Sequence, residues 1–131
     1  SGGFKEIIDD PFIKDAAAVK KVLLCSGKIY FDLSEKQMKE NREDIAIVRI
    51  EQLYPLPVKQ LEALHQRYQK ATWFWVQEEP LNMGAASYLQ MNMKFINYGI
   101  ISRNPVAATA TGFAKVHYQE QEEIINTAFS L

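Results

Sequence analysis

Residues 22–52 read VLLCSGKIYFDLSEKQMKENREDIAIVRIEQ, and this stretch decides the fold. Val22-Leu23-Leu24-Cys25 is a short apolar run closed by Ser26-Gly27, a pair that marks a tight turn. From Lys28 to Asn41, Tyr30, Leu33 and Met38 fall near helical spacing. Ile45-Ala46-Ile47-Val48 is apolar at every position, the pattern of a strand covered on both faces. It runs on into Arg49-Ile50-Glu51-Gln52 before Tyr54-Pro55-Leu56-Pro57 stops it. Strand, helix and strand in one unbroken stretch predict a parallel pair joined by a helical crossover.

The same alternation continues downstream. Pro57 suits a first helical turn, where its missing N–H costs nothing, and Val58, Leu61, Leu64, His65 and Tyr68 follow at three- and four-residue steps. Trp73-Phe74-Trp75-Val76 is a third strand of large β-formers, ending in Gln77-Glu78-Glu79-Pro80. Residues 81–96 are apolar on most sides and predict a well-buried helix, with a fourth strand at Tyr98 to Ile101. An Ala- and Thr-rich loop over 102–115 then leads to a last helix that puts Tyr118, Ile125, Ala128 and Phe129 on one face. Upstream, Gly2, Gly3, Asp9, Asp10 and Pro11 make residues 1–19 read as a linker leading into a domain at 20–131, not as a packed element. The expected architecture is α/β, a mainly parallel sheet with helices on both faces.

Composition narrows the partners. A chain of 131 residues holds one ordinary core. Fifteen Lys and Arg against sixteen Asp and Glu leave a net charge of -1, so there is no basic field to hold nucleic acid or an anionic membrane surface. No apolar run reaches the roughly 20 residues that span a bilayer, and the N-terminus lacks the charged-then-apolar pattern of a signal. A single cysteine forms no internal disulfide, which favours a reducing, intracellular setting. Because the chain starts at Ser1 and not at Met, it is expected to be a piece of a longer polypeptide.

In parallel sheets, ligands and partners meet the carboxyl ends of the strands. Here those ends carry Ser26-Gly27-Lys28, then Arg49, Glu51 and Gln52, then Gln77-Glu78-Glu79. The two-residue period puts Arg49 and Glu51 on one face, where they can pair, and sends Glu78 and Glu79 to opposite faces, which is no acid/base dyad. Capping, ion pairing or contact with another domain is the expected use of this polar rim. Ser26-Gly27-Lys28 is too short for a phosphate loop of the Walker kind and lacks the three spaced glycines of a dinucleotide site. It reads as a plain turn with a solvated lysine. Cys25 reads as a buried structural thiol, and His65 as a packed residue on the apolar face of its helix. His117 is expected at the start of the last helix, as a local cap with room for an interdomain role. These residues show no metal-ligand spacing, and Trp73 and Trp75 read as core or interface anchors.

Three longer strings go further: Cys25-Ser26-Gly27-Lys28-Ile29-Tyr30-Phe31-Asp32-Leu33, Ile47-Val48-Arg49-Ile50-Glu51-Gln52-Leu53-Tyr54-Pro55, and Trp75-Val76-Gln77-Glu78-Glu79-Pro80-Leu81-Asn82-Met83-Gly84. Together they resemble the C-terminal domain of the thiamine diphosphate-dependent, decarboxylating first component of the 2-oxoglutarate dehydrogenase complex. Gly3-Phe4 through Asp9-Asp10 resembles the start of that domain, and Thr111-Gly112, Lys115-Val116-His117 and Glu120-Gln121 its closing motif. Ala86, Ser102 and Thr109 depart from the commoner pattern, at positions that bear on turns and packing.

The resemblance implies a fold similar to the transketolase C-terminal domain. It implies that thiamine diphosphate and magnesium bind between the preceding domains, leaving this piece without cofactor, metal or catalytic residues. The parent would decarboxylate 2-oxoglutarate in the tricarboxylic acid cycle and pass the succinyl group to a lipoyl-bearing succinyltransferase. This domain would support packing and the homodimer, in the cytoplasm of a bacterium or the mitochondrial matrix of a eukaryote. Some members of the family bind an acyl-CoA activator, for which a phosphate clamp here would draw on Lys28, Arg49 or Arg103. The competing expectation is an autonomous module that binds a CoA-type ligand or an adenine nucleotide such as AMP through Ser26-Gly27-Lys28 beside Arg49. A flavodoxin-like electron carrier shares the fold class, but the first turn lacks the Ser/Thr-rich phosphate loop that flavin mononucleotide needs.

Overall fold

The computed structural model of the chain describes residues 5–103 and 113–131, with the backbone alone over 113–119. The strands are Ile7–Ile8 (β1), Lys21–Cys25 (β2), Ile45–Ile50 (β3), Thr72–Pro80 (β4) and Tyr98–Arg103 (β5). They form one sheet in the order β1-β3-β2-β4-β5. The last four are mutually parallel, and β1 runs antiparallel along β3. Between them lie the helices Ile29–Lys39 (α1), Val58–Arg67 (α2), Ala86–Asn92 (α3) and Phe113–Phe129 (α4).

The alternation of side chains along each strand makes two cores. Val22, Leu24, Ala46, Val48, Ile50, Trp73 and Trp75 point to one face and meet Leu61 of α2 and Ala86 and Leu89 of α3. Leu23, Cys25, Ile45, Ile47, Val76 and Ile101 point to the other, against Ile29 and Leu33 of α1 and Ile124, Ala128 and Phe129 of α4. The expected α/β architecture with helices on both faces is what the chain adopts. All five residues of β2 are buried, and burying one such aliphatic side chain contributes about 1.5–3 kcal/mol.

Lys21 is the exception to the apolar pattern. Its ammonium donates to the carbonyls of Ala128 at 3.0 Å, Thr127 at 3.3 Å and Ser130, and it lies 4.8 Å from the centre of the Phe74 ring. A cation is therefore placed where α4 ends with unpaired carbonyls and the negative end of its dipole. Burial, and then the Arg42 guanidinium, hold its pKa below the usual lysine value, while the three carbonyls favour the charged form.

The segment expected to lead in without packing does pack. Asp10 is buried, and its carboxylate accepts from the Gln37 amide at 2.6 Å, the Ile47 N–H at 2.8 Å and the Phe12 N–H at 2.8 Å. Gln37 donates to the Ile45 carbonyl as well, so one polar knot ties the incoming chain to α1 and β3. Asp9 accepts from the Tyr68 hydroxyl at 2.6 Å and pairs with Arg67 at 3.1 Å, which fastens the same segment to the end of α2. Aspartates beside Gly and Pro have the composition of a solvated loop; here they are acceptors for buried donors.

Other boundaries also move. The helix expected over 81–96 shrinks to α3, because Gly84 takes φ +67° and residues 81–85 form turns. Strand β4 continues to Pro80, with an irregularity in its pairing to β5 between Val76 and Pro80. Ser102 and Arg103, expected in a loop, belong to β5. Helix α4 begins at Phe113, so His117 lies within it and not at its start; its side chain is outside the described residues, as are Thr109, Thr111 and Gly112.

Replacing Asp10 with Ala leaves the Gln37 amide and the Ile47 N–H buried without their acceptor. The expected loss is about 3 kcal/mol of unfolding free energy, read as a lower midpoint in urea with an unchanged slope.

Candidate functional site

The chain leaves β2 toward β3 and then crosses back over β2 to reach β4. The strand order therefore reverses between β2 and β4, and the crevice outside their carboxyl ends is the place where such sheets receive ligands or partners. Ser26-Gly27-Lys28 and Gln77-Glu78-Glu79 flank it, with Arg49, Glu51 and Gln52 on the β3 side and Arg103 at the end of β5.

Gly27, at φ +79°, makes the turn out of β2 that a side chain would strain. The first amides of α1 are already used there: Tyr30 N–H donates to the Gly27 carbonyl at 3.2 Å and Phe31 N–H to the Lys28 carbonyl at 3.1 Å. Lys28 is exposed and its side chain caps nothing. The turn thus offers a solvated cation but few free N–H groups to cradle a phosphate.

The two arginines are engaged. Arg49 Nε lies 2.8 Å from Glu51 Oε1, the pairing expected from their shared strand face, and its guanidinium sits 4.4 Å from the Tyr30 ring centre and 5.9 Å from that of Phe31. Arg103 Nε lies 2.9 Å from Glu120 Oε2 on α4. Strands β3 and β5 are three spacings apart, so Arg49 and Arg103 stand roughly 14 Å from each other across the sheet. Each arginine keeps a carboxylate of its own, and Lys28 is the exposed member of the expected clamp. Nothing in this arrangement supports an autonomous effector module.

Gln77 has a role that went unread in the sequence. Its side-chain oxygen accepts from the Trp75 indole N–H at 2.8 Å and the Ala86 N–H at 3.0 Å. Its amide donates to the carbonyls of Pro80 and Met83, both at 2.8 Å, and of Glu79 at 3.2 Å. One buried amide therefore shapes the whole turn after β4 and satisfies the first N–H of α3. A Cβ on Gly84 would come within 3.1 Å of the Glu79 carboxylate and 3.2 Å of the Gln77 side-chain oxygen, so the turn closes on a glycine. The available signal was the two-residue period, which puts position 77 on the same buried face as Trp73 and Trp75.

The remaining residues differ in burial and contacts. The Gln52 amide donates to the Pro55 carbonyl at 3.3 Å, Ser26 and Glu78 are half-buried, and Gly27, Glu51 and Glu79 are exposed. Cys25 is fully buried, and burial pushes its thiol up to about 12, far from the range of a reactive thiolate. The His65 ring meets Trp73 edge-on at 5.3 Å. Among the described residues, no group of three or more His, Cys, Asp or Glu is placed to hold a metal ion, and no helix is long and apolar enough to cross a membrane.

Four parallel strands with an antiparallel edge strand, helices on both faces and a rim of paired charges define an α/β module consistent with the transketolase C-terminal type. The chain belongs to the 2-oxoglutarate dehydrogenase C-terminal family, whose pattern matches residues 1–129. It is 40% identical over 96% of its length to the 2-oxoglutarate dehydrogenase E1/E2 component of Corynebacterium glutamicum, covering 11% of that protein. It is 40% identical, at the same two coverages, to the multifunctional 2-oxoglutarate metabolism enzyme of Mycolicibacterium vanbaalenii. With the 2-oxoglutarate dehydrogenase E1 component of Azotobacter vinelandii it shares 38% identity over 99% of its length, which is 15% of that relative. The chain thus spans about a tenth to a seventh of the curated relatives it matches.

Gln77→Leu strands the Trp75 indole N–H and the Ala86 N–H. It is expected to cost about 2–4 kcal/mol in denaturant unfolding and to change the tryptophan emission of the folded protein. A second outcome concerns alkaline pH. Burial raises Cys25 from 9.0 to about 12 and, with the Asp9 hydrogen bond, Tyr68 from 10.0 to about 12. The unfolded chain loses these protons first, so stability falls as pH rises from about 9 toward 12. Urea midpoints at pH 8 and pH 10.5 test it, and Cys25→Ala should flatten part of the slope.

Proposed function

We propose that this chain is the C-terminal module of the decarboxylating first component of a 2-oxoglutarate dehydrogenase, and that it supports the assembly of that enzyme without taking part in bond breaking. The family match over residues 1–129 carries the reading. The relatives it matches carry the name 2-oxoglutarate dehydrogenase. In this reading the parent enzyme oxidatively decarboxylates 2-oxoglutarate in the tricarboxylic acid cycle and passes the succinyl group to the lipoyl arm of a succinyltransferase. A homodimer in the bacterial cytoplasm is part of the same proposal.

Thiamine diphosphate and magnesium belong in this reading to the preceding domains. The described residues do not fit either group: the rim carboxylates Glu51 and Glu120 are held by arginines, and the acidic and histidine side chains gather into no metal-binding set. Ser26, Gly27, Glu51, Gln52, Gln77, Glu78, Glu79 and His117 are proposed as the interdomain rim, with Gln77 acting from within by shaping the turn that the rim presents. A rim whose two arginines are each paired with a carboxylate suits contact with protein better than capture of a polyphosphate.

The purified 131-residue chain, supplied with thiamine diphosphate, magnesium and 2-oxoglutarate, is expected to release no carbon dioxide above background, and robust turnover would reject the scaffold role. In the same preparation, titration calorimetry with acetyl-CoA or AMP at millimolar concentration is expected to show no binding heat, because Arg49 and Arg103 are already paired.

A further inference from the structure

The carboxyl rim exposes large apolar side chains from three adjacent strand exits. Tyr54 follows β3, Phe31 lies in the first turn of α1 after β2, and Leu81 and Met83 follow β4. They are between 45% and 64% exposed. Neighbouring strands are about 4.8 Å apart, so these residues crown one end of the sheet. The Gln77 knot holds the backbone that presents Leu81 and Met83, and the Phe31 ring lies beside the Arg49 guanidinium, so the crown is built on fixed supports. The Tyr54 ring meets Tyr88 of α3 edge-on at 4.3 Å and stays largely exposed. Large apolar residues exposed at neighbouring strand exits suit a surface that another protein surface covers.

The path of the chain says which surface. Because β1 runs antiparallel to β3, with Ile7 opposite Ile50, moving back from Ile7 leads past the carboxyl end of β3. The Glu6 carbonyl there accepts from the N–H groups of Glu51 at 2.8 Å and Gln52 at 3.1 Å. The described chain therefore begins at the rim, and its direction there is away from the strands. In relatives of which this chain covers 11–15%, most of the polypeptide lies outside the matched region.

We propose that Phe31, Tyr54, Leu81 and Met83 form the apolar seat for the folded region that precedes this domain in the same polypeptide. This rests on the scaffold reading above and adds the surface and its occupant. The Arg49 guanidinium beside Phe31 is paired with Glu51, which suits a protein face there, and an occupant joined to the chain near Glu6 is held at high effective concentration.

Peroxide oxidation of methionines in the complete polypeptide tests this. Met83 belongs to the rim, whereas Met38, 59% exposed, lies near the end of α1 at the opposite end of the sheet, and Met91, 74% exposed, lies on the last turn of α3. Met83 is expected to oxidise at least tenfold more slowly than Met38 and Met91, and Leu81→Asp should raise its rate toward theirs. Oxidation of Met83 as fast as Met91 would overturn the seat, as would equal protection of all three. Protection that disappears on dilution to separated subunits would overturn it in favour of a second copy. Turnover by the 131-residue chain alone would remove the scaffold reading while leaving the methionine ratio in the complete polypeptide unchanged, so the two failures are distinguishable.

Discussion

The whole domain depends on β2 being buried on both faces and paired along both edges. Leu23 pairs with Ile47 on one side and Phe74 on the other, and every side chain from Lys21 to Cys25 is shielded from water. A strand in that position has no polar surface to fall back on, so its neighbours must supply two complete apolar layers. The four helices exist as stable elements because each covers part of those layers; α2 and α3, at ten and seven residues, are too short to hold in isolation.

Burying the centre of the sheet so fully forces polar groups into a few concentrated junctions. Lys21 meets the end of α4, Asp10 binds α1 and β3 to the incoming segment, and Gln77 organises the exit from β4. In each, one side chain satisfies several backbone or side-chain partners, which is how a buried polar group avoids its desolvation cost. These junctions hold the rim in place. Gln77 spends its hydrogen-bonding capacity on the fold, and Arg49 and Arg103 spend their charge on Glu51 and Glu120.

The four parallel strands and three of the four helices were legible because period and apolar content are local, whereas the two-residue β1 carries no such signal. Val22 to Cys25, Ile45 to Val48 and Trp73 to Val76 announce buried strands whatever surrounds them. Residues 81–96 misled for the same reason: an apolar run looks helical until a glycine in the left-handed region and a buried amide nine residues upstream of the start of α3 impose turns on its first part. The pairing of Arg49 with Glu51 was readable, since both lie on one strand face. That of Arg103 with Glu120 was not, since it joins a strand to a helix and no single period relates the two positions.

The sequence by itself determined the α/β class, the burial of Cys25, the family, and the absence of a continuous phosphate-binding motif, because each depends on residues close together along the chain. Only the tertiary structure decided that Asp9 and Asp10 are anchors, that Lys21 closes a helix more than a hundred residues away, and that the incoming chain meets the carboxyl rim. Those contacts join segments whose separation along the chain carries no periodic signal, and they are selected by the need to pair every donor and acceptor that the two cores exclude from water.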